Sequence, residues 1–349
     1  MKTNFKNTII NEKFSNAIQH IPQNTPPIWF MRQAGRYHSH YRKLREKHSF
    51  IDLCKIPELA SEVALGPVLE FDYDVSILFS DLLFPLEAMG MGLRYEPGPI
   101  LSSRIESLDD VDKLYSVEQS LEGILFQKKA LEYTRALLPS HVSLIGFVGG
   151  PWTLFTYANS GKHDGNLSKP KSNIQLIQAF YNKLLPLLRE NIKLQLESGA
   201  EIVMIFDTAA GDLAPLQFNE YVIKVLEPII KDFPNQIGYY AKAGTRDQIH
   251  SINNIQNLAG FGIDHRFRME SILQEGFARG FVQGNFDQSL FFLPTDDFKK
   301  ALKNYLAPIK ELSNQQRAGW VSALGHGVLP LTPENHIKYM VEFIRETFQ

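Results

Sequence analysis

Short apolar runs recur along the whole 349-residue chain, and each is bounded by glycine, proline or other turn-forming residues. Apolar residues within these runs are consecutive, as is typical of strands buried on both faces of a parallel sheet. Eight runs are predicted strands: PIWFM from Pro27, VSILF from Val75, VSLIGF from Val142, EIVMIF from Glu201, QIGYYA from Gln236, LAGFGI from Leu258, GFVQG from Gly280 and WVSAL from Trp320.

The segments between these runs have the apolar spacing of helices. One begins at Ser107 with Ser-x-x-Asp, a weaker relative of the capping box, and is predicted to continue to about Leu138. A later helical segment contains Pro186, which predicts a kink. Thr332 followed by Pro333 predicts the N-cap and first residue of a C-terminal helix. Strands and helices therefore alternate through the chain.

This alternation predicts the α/β fold class, as a single-domain distorted (β/α)8 TIM barrel over residues 1–349. No linker rich in proline, glycine and serine divides the chain, which favours one barrel over a doubly wound sheet. The early strand–helix units are longer than the later ones, so insertions are expected. The active site of such a barrel lies at the C-terminal ends of its strands.

Composition narrows the range of partners. With 36 Lys and Arg against 38 Asp and Glu, the formal net charge is −2, so neither nucleic acid nor an anionic membrane is an expected partner. An anionic ligand must then be met by a local cluster of basic groups.

Several classes of site lack support in the sequence. Cys54 is the only cysteine, which excludes an intrachain disulfide and CxxC metal sites, and we expect it to be buried. The N-terminus has no continuous apolar signal region, and no run approaches membrane-spanning length, so a reducing, cytoplasmic location is expected. GxGxxG, GxxxxGK[ST] and HExxH spacings are missing.

Arg32 and Arg36, in the stretch RQAGR, follow the first apolar run. A helix would place them on one face, whereas Gly35 makes a loop at least as acceptable. In either form, two guanidinium groups converge on carboxylate or phosphate. The alternative is a pair of surface arginines bound to Glu46 or Asp52.

Other polar residues follow later strands. Asp81, after VSILFS, needs hydrogen-bond donors from the protein or a ligand, unless it only caps the next helix. His326 lies between two glycines, a backbone that permits close approach, and the alternative is an ordinary turn histidine. A Schiff base on Lys242 is a disfavoured alternative. The loop at 159–173 is either a solvated connection or a lid.

Two long motifs resemble the uroporphyrinogen decarboxylase family of haem biosynthesis. PIWFMRQAGRY is similar to its N-terminal signature and GFVGGPWTLFTY to its second. ILFSDLLFPLEAMGMGL, IFDTAAG, QGNFD and LGHGVLP follow the family's order, so the resemblance covers nearly the whole chain. It implies a homodimeric barrel and carboxy-lyase that uses no metal or organic cofactor. The reaction that the resemblance implies is conversion of the four acetate side chains of uroporphyrinogen III to methyl groups, giving coproporphyrinogen III.

The resemblance also implies roles for individual positions. Arg32 and Arg36 match arginines that bind substrate carboxylates, and Asp81 matches the aspartate that faces the pyrrole nitrogens, which makes these three the catalytic candidates. The implied substrate-binding set is Arg32, Gln33, Ala34, Gly35, Arg36, Phe50, Phe79, Asp81, Phe147, Tyr157, Phe206, Thr208 and His326.

Three residues depart from the family pattern. Thr208 replaces a usual serine and keeps the hydroxyl, His265 replaces a usual tryptophan, and Gln288 replaces a usual proline. We expect the last two not to touch the positions above.

The implied mechanism needs no cofactor, because a pyrrole ring protonated on carbon accepts the electrons released with carbon dioxide. An ionised Asp81 would stabilise that cation, and Arg32 is favoured as the acid because a protonated Asp81 would lose its charge. One alternative is a corrinoid-dependent type of methyltransferase on the same barrel, which would need a zinc–thiolate centre. Another is a non-catalytic tetrapyrrole-binding protein, which would not need Asp81.

Overall fold

Seven parallel strands form one curled sheet at the centre of the computed structural model, which describes residues 8–163, 167–276 and 280–349. Two further strands, β2 and β3, pair as a separate antiparallel hairpin. The strands are β1 Val75–Ile77, β2 Leu93–Tyr95, β3 Pro99–Leu101, β4 Ser143–Gly149, β5 Ile202–Phe206, β6 Ile237–Tyr240, β7 Gly260–Gly262, β8 Phe281–Phe286 and β9 Trp320–Leu324. The order in the main sheet is β1-β4-β5-β6-β7-β8-β9, which confirms the α/β barrel class.

Helices connect the strands and surround the sheet. The α-helices are α1 Glu12–Ile18, α2 Ser39–Arg45, α3 Phe50–Lys55, α4 Pro57–Phe71, α5 Phe84–Leu86, α6 Leu108–Asp112, α7 Val117–Glu122, α8 Phe126–Leu137, α9 Pro151–Ser160, α10 Ser168–Lys171, α11 Ile174–Glu197, α12 Pro215–Phe218, α13 Lys224–Asp232, α14 Arg246–Asn253, α15 Met269–Glu275, α16 Thr295–Lys310, α17 Asn314–Arg317 and α18 Glu334–Thr347. Among the described residues, no helix combines the length and apolar character needed to cross a membrane.

Residues 27–31 lie between the two edge strands, β9 and β1. Ile28 forms an isolated parallel bridge with Ser322 of β9, whose backbone N donates to Pro27 O at 2.9 Å. On the other side, Asp74 N donates to Ile28 O at 3.0 Å, and the Asp74 carboxylate accepts Ile28 N at 2.8 Å. The first predicted strand, PIWFM, is therefore reduced to a short seam that lies between β9 and β1 and completes the ring.

The barrel interior is filled by alternate residues of the strands. Val75, Ile145, Ile202 and Phe281 belong to one buried cluster, to which Phe14 on α1 also contributes. Such alternation follows from the two-residue period of a strand. Because Asn11 N, just before α1, donates to Ser143 Oγ at the start of β4, this helix covers the N-terminal end of the barrel and leaves the opposite end for the site.

Three predictions about helices are changed by local hydrogen bonds. The Ser107 capping box is confirmed, but the predicted helix to Leu138 is three helices, because Ser116 caps a new one at Val117. The C-terminal helix begins at Glu334 with Pro333 as N-cap, since Thr332 Oγ1 is already bonded to Leu329 O at 2.8 Å. α11 continues through Pro186, and the kink stays a prediction.

Candidate active site

The RQAGR segment is a turn between the barrel seam and α2, so the helical interpretation is wrong. Arg32 has φ 59°, a left-handed conformation that ends the extended seam. Buried Gln33 holds the turn in place, since its Nε2 donates to Val75 O at 3.2 Å and its carbonyl oxygen accepts Tyr37 OH at 2.7 Å. The turn is thereby tied to the first strand of the sheet.

Both arginine side chains of the turn are exposed, with half-buried Ala34 and Gly35 between them. Neither guanidinium forms an ion pair within the described residues. The alternative pairing with Asp52 is wrong, because that carboxylate closes a capping box with Ser49 at the start of α3. Two cationic groups therefore remain available to an anion.

Asp81 lies four residues beyond the end of β1, in a partly accessible position. Its Oδ1 accepts Leu83 N at 2.8 Å, but α5 has Leu83 as N-cap and no side-chain cap, so the alternative that Asp81 only caps the next helix is wrong. Burial raises the pKa of Asp81 above its usual value, while the Leu83 amide, the nearby Tyr95 hydroxyl and the Arg32 guanidinium act in the opposite direction. Arg32 is thus an electrostatic neighbour of Asp81, although the two come from different strand ends.

Aromatic rings surround one side of Asp81. Phe79, two residues earlier, packs against Phe50 at 6.0 Å and against Tyr41 at 5.7 Å between ring centroids. Phe50 also meets Tyr95 of the β2–β3 hairpin edge to face, at 4.6 Å. Phe50 and Phe79 therefore pack together beside the segment that carries Asp81, and their contact with substrate stays a prediction.

A second aromatic wall lies across the barrel mouth. Phe147 of β4 and Phe206 of β5 have ring centroids 5.6 Å apart, and Phe206 meets Tyr240 of β6 at 6.3 Å. Thr208 follows Phe206 by two residues and is half-buried at the same end of the sheet. This wall supplies apolar surface beside the charged turn.

Tyr157 reaches the site from α9, which begins at Pro151 directly after Gly150. The start of α9 is anchored by the buried Asp207 carboxylate, which accepts the Thr153 backbone N at 2.8 Å and Thr153 Oγ1 at 2.7 Å. Burial and the Asp81 charge raise the pKa of Tyr157, and Arg32 lowers it. The phenol therefore stays protonated and lies in the field of both groups.

His326 completes the ring of predicted residues. A Cβ at Gly327 would lie only 2.5 Å from Arg32 Cδ, so this glycine allows the arginine to lie against the GHG turn. His326 stacks on Tyr240 at 6.1 Å. Burial and the positive charges of Arg32 and Lys242 lower the pKa of His326 to about 4, so the imidazole is neutral at pH 7.

We expect His326 to titrate near pH 4 in the unliganded protein and at higher pH once an anionic ligand binds, because its negative charges offset Arg32 and Lys242. Proton NMR of the imidazole Hε1 measures both values, and His326→Gln identifies the resonance. A titration midpoint near 6.5, the usual value for histidine, would contradict the buried cationic environment.

Two residues near the site were not predicted as substrate-binding residues from the sequence, namely Lys242 and Tyr95. Lys242 is exposed two residues beyond β6 and close enough to His326 to affect its pKa, so it is a further cation at the barrel mouth. Its position after an apolar run was the available signal. Tyr95 lies in an inserted hairpin, and no strand-end rule points to it.

The residues that depart from the family pattern lie at the same end of the barrel. His265 is exposed, its backbone N would lie 2.4 Å from a Cβ on Gly325, and it lowers the pKa of His326. The expectation that His265 does not touch the site positions stays a prediction. Gln288 begins a short 3-10 helix at 288–292.

A possible metal-ligand cluster lies outside the barrel mouth. Among the described residues, His38, Glu70 and Glu334 place ligand atoms within 4.8 Å of one another. His38 Nε2 already bonds Glu70 at 2.7 Å, and Glu334 accepts Ser39 N at 2.7 Å and pairs with Arg42. Internal hydrogen bonds therefore engage His38 Nε2, Glu70 and Glu334, whereas buried His38 Nδ1 has no hydrogen-bond partner within the described residues.

The loop predicted at 159–173 is only partly described, since residues 164–166 lie outside the described residues. Its described part contains the end of α9 and the short helix α10. Lys171 Nζ donates to Asp212 O at 2.6 Å, and Lys169 pairs with Glu106. A lid role stays a prediction.

Sequence and structure comparisons agree on the fold, and the sequence comparisons agree on one family. The family model described as uroporphyrinogen decarboxylase (URO-D) matches residues 10–347. The chain is 33% identical to the uroporphyrinogen decarboxylase of Geotalea uraniireducens, covering 97% of this chain and all of that one. It is also 33% identical to the Francisella philomiragia enzyme of that name, covering 95% and 98%.

Among solved structures, a methyltransferase from Methanosarcina mazei has a TM-score of 0.78 and 17% identity, covering 98% of this chain and 99% of that one. A putative vitamin-B12-independent methionine synthase from Listeria monocytogenes has a TM-score of 0.58 and 12% identity, covering 94% and 98%. At these identities the likeness is one of fold.

Proposed function

Since the chain belongs to the uroporphyrinogen decarboxylase family, we propose that it removes carbon dioxide from the four acetate side chains of uroporphyrinogen III, giving coproporphyrinogen III. The enzyme is a carboxy-lyase of haem biosynthesis. The observation that carries the proposal is the position of Arg32 at the barrel mouth, where it lies against Gly327 and in the field of Asp81, Tyr157 and His326.

The substrate supplies the electron sink in the proposed reaction. An acid adds a proton to a ring carbon of the pyrrole that bears the acetate, and the ring becomes a cation. The bond between the methylene carbon and the carboxylate then breaks, carbon dioxide leaves, and the electron pair forms an exocyclic double bond that neutralises the ring. Protonation of that methylene carbon and loss of the added ring proton give a methyl group. Each decarboxylation consumes one proton overall, so conversion of all four acetates consumes four.

Asp81 is proposed to act in its ionised form. Its free carboxylate oxygen accepts hydrogen bonds from pyrrole N–H donors and lowers the energy of the cation as it forms. Arg32 is the proposed acid, and it also holds a substrate carboxylate. Because it lies beside Asp81, proton delivery and cation stabilisation occur at adjacent positions.

The remaining predicted residues are proposed to bind substrate. Tyr157 offers a hydroxyl donor, Thr208 another hydroxyl, and neutral His326 a ring N–H. The Gln33–Gly35 turn presents the two arginines, while Phe50, Phe79, Phe147 and Phe206 contact the macrocycle. Arg36 and Lys242 are exposed at the rim, where they meet outer carboxylates of the eight that the substrate carries.

Anaerobic incubation with uroporphyrinogen III, followed by oxidation and chromatography of the porphyrins, tests the activity. We expect species with seven, six and five carboxyl groups to precede the four-carboxyl product. Asp81→Asn is the matched control for uncatalysed loss. A well-folded sample that leaves the eight-carboxyl substrate unchanged would overturn the assignment.

Two alternative functions require different properties of the protein. A zinc–thiolate methyltransferase needs a reactive cysteine, whereas Cys54 is fully buried and burial holds its pKa well above the usual range. A tetrapyrrole carrier would bind the substrate but release no carbon dioxide, so turnover separates it from the proposed enzyme.

The homodimer and the cytoplasmic location stay predictions, as does the single domain over residues 1–349. Analytical ultracentrifugation at micromolar concentration tests the dimer, and sedimentation as one 39.8 kDa species would contradict it.

A further inference from the structure

Tyr95 carries an unpaired polar atom next to the site. Its hydroxyl oxygen is buried and has no hydrogen-bond partner of regular geometry within the described residues. Buried polar atoms are nearly always satisfied, so an orphaned phenol needs an explanation. The ring itself is held firmly, since it meets Phe50 at 4.6 Å and Phe50 in turn meets Phe79 at 6.0 Å.

The Tyr95 hydroxyl and the Asp81 carboxyl group lie close enough for each to shift the pKa of the other. Of the two carboxylate oxygens, Oδ1 accepts Leu83 N at 2.8 Å, and Oδ2 has no hydrogen bond within the described residues. Burial and the neighbouring Asp81 charge raise the pKa of Tyr95 well above its usual range, so the phenol keeps its proton. A protonated donor that lacks a hydrogen bond of regular geometry thus lies next to an acceptor with spare capacity.

We propose that Tyr95 is a positioning residue, whose hydroxyl donates a hydrogen bond to the Asp81 carboxylate when substrate closes the site. Catalytic hydrogen bonds are often long in empty enzymes and shorten when the ligand binds. The bond orients Asp81 towards the pyrrole N–H groups and favours its ionised form. This inference rests on the proposed role of ionised Asp81.

Other charged and titratable groups also face Asp81. Arg32 favours the carboxylate, while Glu87 opposes it. Glu87 is paired with Lys55 Nζ at 2.7 Å, which limits its influence. Cys54 and Tyr157 have pKa values raised by burial and stay neutral. Substitution of Tyr95 therefore removes a neutral donor and leaves this charge arrangement in place.

Tyr95→Phe keeps the ring that packs on Phe50 and removes only the hydroxyl. We expect kcat at pH 7 to fall about tenfold, the value of one hydrogen bond to a charged group, with little change in KM. The pKa of Asp81 should rise, so the acidic limb of the kcat/KM profile should move to higher pH. A purely structural role would lower activity without moving that limb.

Tyr73→Phe is the matched control. Tyr73 is also a buried tyrosine whose hydroxyl lacks a regular partner within the described residues, but it packs against Phe30 and Phe71, away from Asp81. Its substitution should leave the limb unchanged. Carbon-13 NMR of labelled aspartate, with Asp81 identified by its loss in Asp81→Asn, reports the Asp81 titration without any turnover.

A second variant keeps the test decisive if Tyr95→Phe folds poorly. Replacing Tyr95 with 3,5-difluorotyrosine makes the phenol a stronger donor, and the Asp81 titration should then move to lower pH. An unchanged Asp81 titration in both variants would overturn the inference. Absence of decarboxylation by the wild type would instead overturn the proposed function, so the two failures are distinguishable.

Discussion

Asp81→Asn should lower kcat by about 10²–10³-fold while the protein remains fully folded. A neutral amide cannot stabilise the substrate cation as a carboxylate does, and loss of one preorganised electrostatic group commonly has an effect of this size. The amide oxygen can still accept Leu83 N, so the local turn should persist. Single-turnover measurement of carbon dioxide release from uroporphyrinogen reports the chemical step.

The stability of the same variant separates function from folding. Burial raises the pKa of Asp81 in the folded protein above its value in the unfolded chain. Ionisation of Asp81 is therefore easier in the unfolded chain, and the free energy of unfolding falls as pH rises through this range. Removing the charge should leave the melting temperature at pH 7 unchanged or higher. Turnover near that of the wild type, or a strongly lowered melting temperature, would contradict the role given to Asp81.

Arg32→Met should lower kcat/KM by about 10²–10³-fold, and far more than Arg36→Met does. Arg32 lies in the field of Asp81, Tyr157 and His326, so its loss removes the proposed acid and a central carboxylate contact. Arg36 is exposed on the α2 side, where it influences Tyr41. Its substitution should raise KM by about fivefold, as expected for an exposed ion pair.

Steady-state kinetics at several salt concentrations compare the two variants, and Arg32→Lys adds a control that keeps the charge but loses the planar fork. Equal effects of Arg32→Met and Arg36→Met would show that both arginines only attract the substrate. The acid role for Arg32 would then be wrong.

The general position of the site was predictable, because parallel strands that form a barrel bring their C-terminal ends together. Apolar runs identified β1 and β9, so Asp81 and His326 were expected at the same mouth. Arg32 lies at the same end because the apolar run before it occupies the eighth position in the ring. Within that run only Ile28 forms a β-bridge.

Local conformations and contacts between distant segments were harder to predict. The left-handed φ of Arg32 depends on Gln33 bonds to Val75 and Tyr37, which no residue pattern reveals. Tyr95 reaches Asp81 only because an inserted hairpin folds over α3, which is a tertiary event. Inspection of the residues that follow each strand identifies site residues on the barrel itself. It does not identify residues of inserted segments that pack against the site.

The seam at residues 27–31 has a consequence for the rate at which the protein is degraded in the cell. Its pairing with β9 consists of one bridge, and it continues directly into Arg32, so local opening of the ring would also displace the group proposed to bind the substrate carboxylate. A ligand that binds only the closed ring stabilises it by mass action. Susceptibility to proteases that attack the opened chain should therefore fall as the tetrapyrrole supply rises, which links the lifetime of the enzyme to demand for its activity.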